Sequence, residues 1–100
     1  MKRILAAAVI VMLSMPFGAL AKTGEEVYKQ TCFPCHNFGI AGAPQLDDKE
    51  NWAPRIATGK SALYQSALNG KGGMPAKGGN RVLSDEEVKA AVDYMVEESK

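Results

Sequence analysis

The sequence has 100 residues, 46% of them hydrophobic, with a formal net charge of +1. It is too short for a Rossmann or barrel enzyme. Residues 22–100 carry ten basic and eleven acidic side chains, and this near-neutral balance argues against nucleic-acid binding and against electrostatic adsorption to membranes.

The first 21 residues have the layout of a secretory signal peptide. A positively charged start precedes an unbroken apolar run over 4–13, and residues 19–21 form an A-x-A cleavage pattern. The alternative is an uncleaved anchor, but a spanning helix needs about 20 apolar residues and Pro16 interrupts this one. We therefore expect cleavage after Ala21. The mature chain, residues 22–100, is expected to be one soluble periplasmic domain without stable membrane insertion.

The mature chain predicts helices and no strand, because no run of β-branched or aromatic residues alternates with polar ones. The first helix begins at a capping box formed by Thr23 and Glu26. A looser turn is expected over 49–58 and a short helix over 61–69, ending at Gly70.

Residues 70–80 contain five glycines and are expected to lack regular structure. A second capping box, Ser84 with Glu87, then opens an amphipathic helix of about 14 residues. The predicted fold class is all-α, with three or four short helices. Fewer than about 80 residues rarely build a stable core alone, so a cofactor, metal or disulfide is expected to complete it.

Both cysteines of the mature chain and its one histidine lie together in Cys32-Phe33-Pro34-Cys35-His36. A C-x-x-C-H motif is typical of covalent haem c attachment, with the thiols bound to the haem vinyl groups and the imidazole to the iron. The alternatives are a thioredoxin-like dithiol and a structural zinc site. A structural zinc site would lack a fourth ligand. A thioredoxin-like dithiol would lack the βαβ pattern in which such motifs lie. A disulfide between the two cysteines would close too small a loop to stabilise the fold much.

The haem interpretation requires a sixth ligand for the iron, and a second histidine is not available. The mature chain has two methionines, Met74 and Met95. Met95 lies on the apolar stripe of the last predicted helix, which favours a core position. Met74 lies between Gly73 and Pro75 in a loop that can approach a flat macrocycle closely, although it could also simply fill a gap under that loop. With both axial positions filled, electron transfer is favoured over catalysis.

Several motifs in the same order resemble a class I cytochrome c. They are Gly24-x3-Tyr28-x3-Cys32-x2-Cys35-His36, then Gly42-x-Pro44-x-Leu46, then Met74-Pro75 and an amphipathic final helix. The sequence from Gly70 to Gly79, with the segment that follows Leu83, is similar to the cytochrome c5 subgroup. Many members of that subgroup carry a further cysteine pair after the methionine. Residues 80–84 have none here, so a looser loop is expected.

The resemblance implies a small fold wrapped around one covalent haem c. It implies thioether bonds to Cys32 and Cys35, with His36 as the proximal and Met74 as the distal iron ligand. It also implies that the Pro44 carbonyl accepts a hydrogen bond from His36 Nδ1–H, as a partner that orients a ligating imidazole. The first helix would cross the last one at Gly24 and Tyr28, near Ala91 and Tyr94.

Four further side chains each have two interpretations. Trp52 and Arg55, one helical turn apart, could donate hydrogen bonds to haem propionates; alternatively, they are a half-buried indole and a solvated guanidinium. Lys71 and Lys77 flank Met74, and either steer redox partners or are simply solvated.

The resulting hypothesis is a soluble, exported, one-electron carrier of a respiratory chain. By resemblance, its partners would be quinol-oxidising complexes and terminal oxidases or reductases. The alternatives are a haem enzyme in which Met74 leaves to admit peroxide or a diatomic gas, a haem-free thiol oxidoreductase, and a small subunit of a larger oxidoreductase.

Overall fold

The structure is a computed structural model that describes residues 21–100. The predicted signal peptide lies, except for Ala21, outside this range. The described part contains no β-strand and confirms the all-α fold, and none of its helices is long and apolar enough to cross a membrane. Its α-helices are α1 (Gly24–Val27), α2 (Phe33–His36), α3 (Lys49–Ala57), α4 (Lys60–Asn69) and α5 (Asp85–Glu98).

A π-helical turn, Tyr28–Cys32, joins α1 to α2, so the first helix is continuous but changes register. The N–H of Phe33 donates to the carbonyl of Tyr28, five residues earlier. Pro34 provides the physical reason, because it has no N–H to donate to the carbonyl of Gln30 and its ring would crowd that carbonyl. Widening the preceding turn avoids this conflict. The capping box predicted at the start of α1 is partly present, because Thr23 Oγ1 accepts a hydrogen bond from the Glu26 amide at 3.2 Å. The capping box predicted at the start of α5 is complete.

The first helix crosses α5 at Gly24, as the resemblance implies. A Cβ atom at Gly24 would lie 2.1 Å from the carbonyl oxygen of Ala90, so only glycine permits this approach. Next to the crossing, the rings of Tyr28 and Tyr94 lie 5.4 Å apart. This contact fixes the start of the motif-bearing helix against the longest helix of the fold.

The loose turn expected over 49–58 was wrong, since α3 is a regular helix over Lys49–Ala57. Asp48 caps it by accepting a hydrogen bond from the Asn51 amide at 3.2 Å. Pro54 lies inside the helix and removes one backbone hydrogen bond, to the carbonyl of Glu50. Both residues are exposed, so water can solvate that carbonyl. Burial of Trp52, which is 4% exposed, stabilises the helix against the core.

The last two helices agree with the sequence prediction. α4 begins one residue before the predicted start and ends at Asn69. Gly70 follows as the C-terminal cap, and its φ of 87° suits glycine. α5 has the predicted 14 residues and a complete capping box between Ser84 and Glu87. Residues from α1, α3, α4 and α5 form one buried cluster with the first π-helical residue and the loop before α5: Val27, Tyr28, Trp52, Ala67, Leu83, Val88, Ala91, Val92, Met95 and Val96.

Candidate haem-binding site

A cavity of about 490 Å³ opens beside this core. Its walls come from the end of α2, the 40–44 loop, α3, α4, the loop over 71–75 and α5. Most of the lining is apolar. Besides His36, the lining includes two basic side chains, Arg55 and Lys71, and no acidic one. A largely apolar cleft of this size with a few polar groups is typical of a cofactor site.

His36 lies at one wall of this cavity and is 8% exposed. Its Nδ1 is 2.9 Å from the carbonyl oxygen of Pro44, the contact that the resemblance implies. Because a carbonyl can only accept, Nδ1 carries the proton, and Nε2 therefore keeps its lone pair for a metal. The Leu46 amide donates to the His36 carbonyl at 2.9 Å, which holds the 44–46 segment against the histidine.

The two cysteines differ in their surroundings. Cys35 is exposed at the cavity, whereas Cys32, at the end of the π-helical turn, is half-buried. Burial raises the pKa of the Cys32 thiol to about 11, and Cys35 contributes a smaller effect in the same direction. An attacking thiol of a dithiol oxidoreductase needs a lowered pKa. The half-buried Cys32 thiol therefore lacks the environment of such an attacking thiol.

Both methionines of residues 21–100 line the cavity. Met95 is 3% exposed and belongs to the buried cluster, as predicted. Met74 is half-buried on a narrow turn, where its amide donates to the Lys71 carbonyl and its carbonyl accepts from the Lys71 amide, both at 2.9 Å. Met74 thus lies on a loop that approaches the cavity, while Met95 is part of the helical core.

Trp52 and Arg55 both reach the cavity, and both already donate hydrogen bonds within the protein. The indole N–H of Trp52 donates to the Gln45 carbonyl at 2.8 Å. The guanidinium of Arg55 donates to the carbonyl and the side chain of Asn51. The role of these two residues toward propionates stays a prediction.

A family profile described as cytochrome c oxidase, cbb3-type, subunit III, matches residues 19–95, so the chain belongs to this family of cytochrome c domains. Cytochrome c-555 of Chlorobaculum tepidum is 43% identical over 100 residues, which cover 96% of this chain and 93% of the relative. Cytochrome c5 of Azotobacter vinelandii is 35% identical over 80 residues, which cover 78% of this chain and 96% of the relative. The chain is a class I cytochrome c.

Solved structures agree with this assignment. The cytochrome c is similar to a chain from the crystal structure of an electron transfer complex of nitrite reductase with cytochrome c, at a TM-score of 0.74 and 43% identity, covering 77% of this chain and 94% of that one. It is also similar to a mono-haem ferrocytochrome c from Shewanella putrefaciens, at a TM-score of 0.67 and 35% identity, covering 79% and 96%. The cytochrome c5-like interpretation is confirmed, and the protein is a small monohaem electron carrier.

The residues at the cavity fit the haem c that this family binds covalently. The His36 imidazole, the Cys35 thiol and a thioether border an apolar space that is also lined by two basic side chains. Cys32, the other thiol of the motif, lies three residues before Cys35 and is half-buried. No three His, Cys, Asp or Glu side chains within residues 21–100 are placed to share a metal ion.

One residue near the site has contacts that the sequence did not predict. Lys77 is not simply solvated, because its ammonium group donates to the Leu83 carbonyl at 2.7 Å and pairs with Asp85 at 2.9 Å. No periodic or local motif links a loop lysine to a carboxylate eight residues later. Its backbone φ of 55° could not be inferred from the sequence either.

Proposed function

We propose that this cytochrome c is exported, is cleaved after Ala21, and carries single electrons between respiratory redox partners. Cys32 and Cys35 would hold the haem through thioether bonds, and His36 and Met74 would ligate its iron. The observation that carries the proposal is the shared cavity, to which Cys35, His36 and Met74 all contribute. The orientation of His36 by the Pro44 carbonyl supports the role of His36 in particular.

The bound haem supplies the one-electron change between ferric and ferrous iron. The protein's part is to fix the ligands and exclude water. Pro44 holds the imidazole in the tautomer that leaves Nε2 available. Apolar side chains such as Leu63 and Val92 keep the cavity dry, and a thioether at the sixth position favours the ferrous state. With His36 and Met74 both holding the iron, the site would suit a carrier rather than an enzyme.

Electrons would enter and leave at the edge of the site near Cys35, which is exposed. Two exposed apolar side chains, Phe38 and Ile40, at 60% and 53% exposure, lie along the chain just after the motif. The solved complex of a related cytochrome c with nitrite reductase supports redox enzymes as partners. Quinol-oxidising complexes and terminal oxidases or reductases are the partner classes that we propose.

The first test is an absorption spectrum of the exported protein, oxidised and reduced, recorded after a denaturing wash. Haem that survives the wash, a low-spin reduced spectrum and a sulfur-to-iron band in the oxidised protein are expected. Absence of haem would overturn the proposal and leave a thiol pair. Covalent haem without the sulfur band would remove Met74 as a ligand and favour ligand binding or peroxide chemistry.

A pair of matched variants identifies the methionine. Met74→Leu and Met95→Leu each replace a thioether by a side chain of similar volume, so both should change the packing little. Met74→Leu is expected to abolish the sulfur-to-iron band and to lower the reduction potential, while Met95→Leu keeps both unchanged. The reverse pattern would assign the sixth ligand to Met95. Mass spectrometry of the exported protein tests export and cleavage, because a chain beginning at Lys22 is expected.

A further inference from the structure

The loop that carries Met74 is held mainly by bonds within itself. The Lys71–Met74 bridge, the Gly78 amide on the Pro75 carbonyl and the Asn80 amide on the Lys77 carbonyl are all local. Such bonds define the shape of the loop but not its position relative to the rest of the fold. Glycine-rich backbone also loses more conformational entropy than other backbone when it is ordered. A ligand on this loop therefore needs contacts that reach outside it.

Lys77 provides two polar contacts of this kind. Its side chain is 23% exposed, and Nζ lies 2.7 Å from the Leu83 carbonyl oxygen and 2.9 Å from Asp85 Oδ1. Leu83 belongs to the buried cluster, and Asp85 is the first residue of α5. One ammonium group thus joins the Met74 loop to the start of the longest helix. A weaker contact, Asn80 Nδ2 to Thr31 Oγ1 at 3.3 Å, reaches the π-helical turn.

The backbone at Lys77 is unfavourable for a lysine. Its φ of 55° and ψ of 30° lie in the left-handed region, where a residue with a Cβ is disfavoured. Gly78 and Gly79, the next two residues, have φ values of 61° and 86° and adopt this region without such a cost. Glycine would suit position 77 equally well by backbone alone. The side chain of Lys77, and not its backbone conformation, therefore accounts for a lysine at this position.

We propose that Lys77 is a positioning residue for Met74: by fixing the loop to Leu83 and Asp85, it keeps the thioether at the iron. This inference rests on the proposed role of Met74 as sixth ligand. In this chain, Lys77 does noncovalently what a cysteine pair behind the methionine could do covalently. Loss of Lys77 should leave the helices intact and increase the fraction of molecules in which Met74 has left the iron.

The test measures that fraction by titrating imidazole into the ferric holoprotein. Imidazole can bind only where Met74 has left, so its apparent affinity is proportional to the open fraction. Lys77→Gln and Lys77→Gly are each expected to raise the apparent affinity about fivefold or more. Asp85→Asn keeps the bond to the Leu83 carbonyl and should give a smaller increase.

Two controls separate positioning from general charge effects. Glu86→Gln removes a neighbouring carboxylate from the first turn of α5; its side chain is 84% exposed and lies 3.9 Å from Lys89. Lys60→Gln removes a lysine paired with Asp93 at 3.3 Å. Both controls should bind imidazole like the wild type, and far-UV circular dichroism should show all variants fully folded under the titration conditions.

The wild-type spectrum separates the two proposals. A wild type without the sulfur-to-iron band overturns Met74 ligation and the role of Lys77 together. A wild type with the band, and Lys77 variants with unchanged imidazole affinity, overturns only the positioning role. Equal increases in imidazole affinity in the Lys77 and Glu86 variants would also overturn the positioning role. The effect would then depend on charge near α5 and not on the contact between Lys77 and α5.

Discussion

Replacing Gly24 by alanine tests how the first helix is held against α5. Gly24 has helical backbone within α1, where a change from glycine to alanine ordinarily stabilises a protein by about 0.4–1 kcal/mol. Here the new Cβ would lie 2.1 Å from the Ala90 carbonyl oxygen and 2.6 Å from its carbonyl carbon. Because the clash is with backbone, no side-chain rotation at position 90 relieves it.

The magnitude follows from the separation that the methyl group demands. Ordinary van der Waals contact begins at 3.4 Å, so the two helices must part by more than 1 Å from their 2.1 Å approach. Gaps of that size remove a large part of the dispersion energy of neighbouring contacts, including those of Val27 and Tyr28. Overpacking typically costs about 1–3 kcal/mol. Because the clash is with backbone, the cost should fall near the upper end of this range; after subtraction of the gain from replacing glycine by alanine, we expect a net loss of about 2 kcal/mol.

The assay is thermal unfolding of the holoprotein, followed by far-UV circular dichroism. For a domain of 60–100 residues, about 2 kcal/mol lowers the midpoint by roughly 8–16 °C. Ser61→Ala is the control, because it also places alanine in the first turn of a helix, at an exposed residue; its effect should stay within about 0.5 kcal/mol. A Gly24→Ala variant as stable as the wild type would refute the close helix crossing.

Two further predictions concern the thioethers and acid stability. Cys35→Ala should prevent stable holoprotein, because one thioether and the iron bond must then hold the core; a normal yield of folded, reversible holoprotein would contradict this. Hydrogen bonding and charge from Lys77 lower the pKa of Asp85, and hydrogen bonds from the backbone of Ser84 and Lys22 lower the pKa of Glu87. The stability that these carboxylates contribute is present above their ordinary values of 3.8 and 4.5 and is lost as the pH falls through the lowered values. Asp85→Asn and Glu87→Gln should each flatten the acid side of the stability profile in guanidinium titrations, and unchanged profiles would argue against these contacts.

The thiols and the imidazole of the candidate site could be grouped from the sequence because they lie next to one another along the chain. Cys32, Cys35 and His36 fall within five residues, so no folding knowledge was needed to group them. The capping box that begins α5 is equally local, since Ser84 and Glu87 are one helical turn apart. Signals of this kind can be recognised from neighbouring residues alone.

The prediction over 49–58 was wrong because a nonlocal contact outweighs a local signal. Pro54 lies within this segment, and by itself it costs a backbone hydrogen bond. The structure offsets that cost by burying Trp52, whose indole N–H is satisfied by the Gln45 carbonyl at 2.8 Å. Neither the burial nor that partner is visible in the spacing of residues. Tertiary packing therefore decides the helix, not propensity.

The two sides of the proposed haem site differ in how they are held, and this difference predicts where the site opens first. His36 belongs to a helix, has its Nδ1 fixed by Pro44, and follows directly after Cys35. Met74 lies on a glycine-rich loop that Lys77 joins to the start of α5 through noncovalent contacts with the Leu83 carbonyl and Asp85. Because the loop can open without unfolding a helix, its opening requires less free energy than displacement of His36. The methionine side should therefore yield first to heat, denaturant or an added ligand, before the helices unfold.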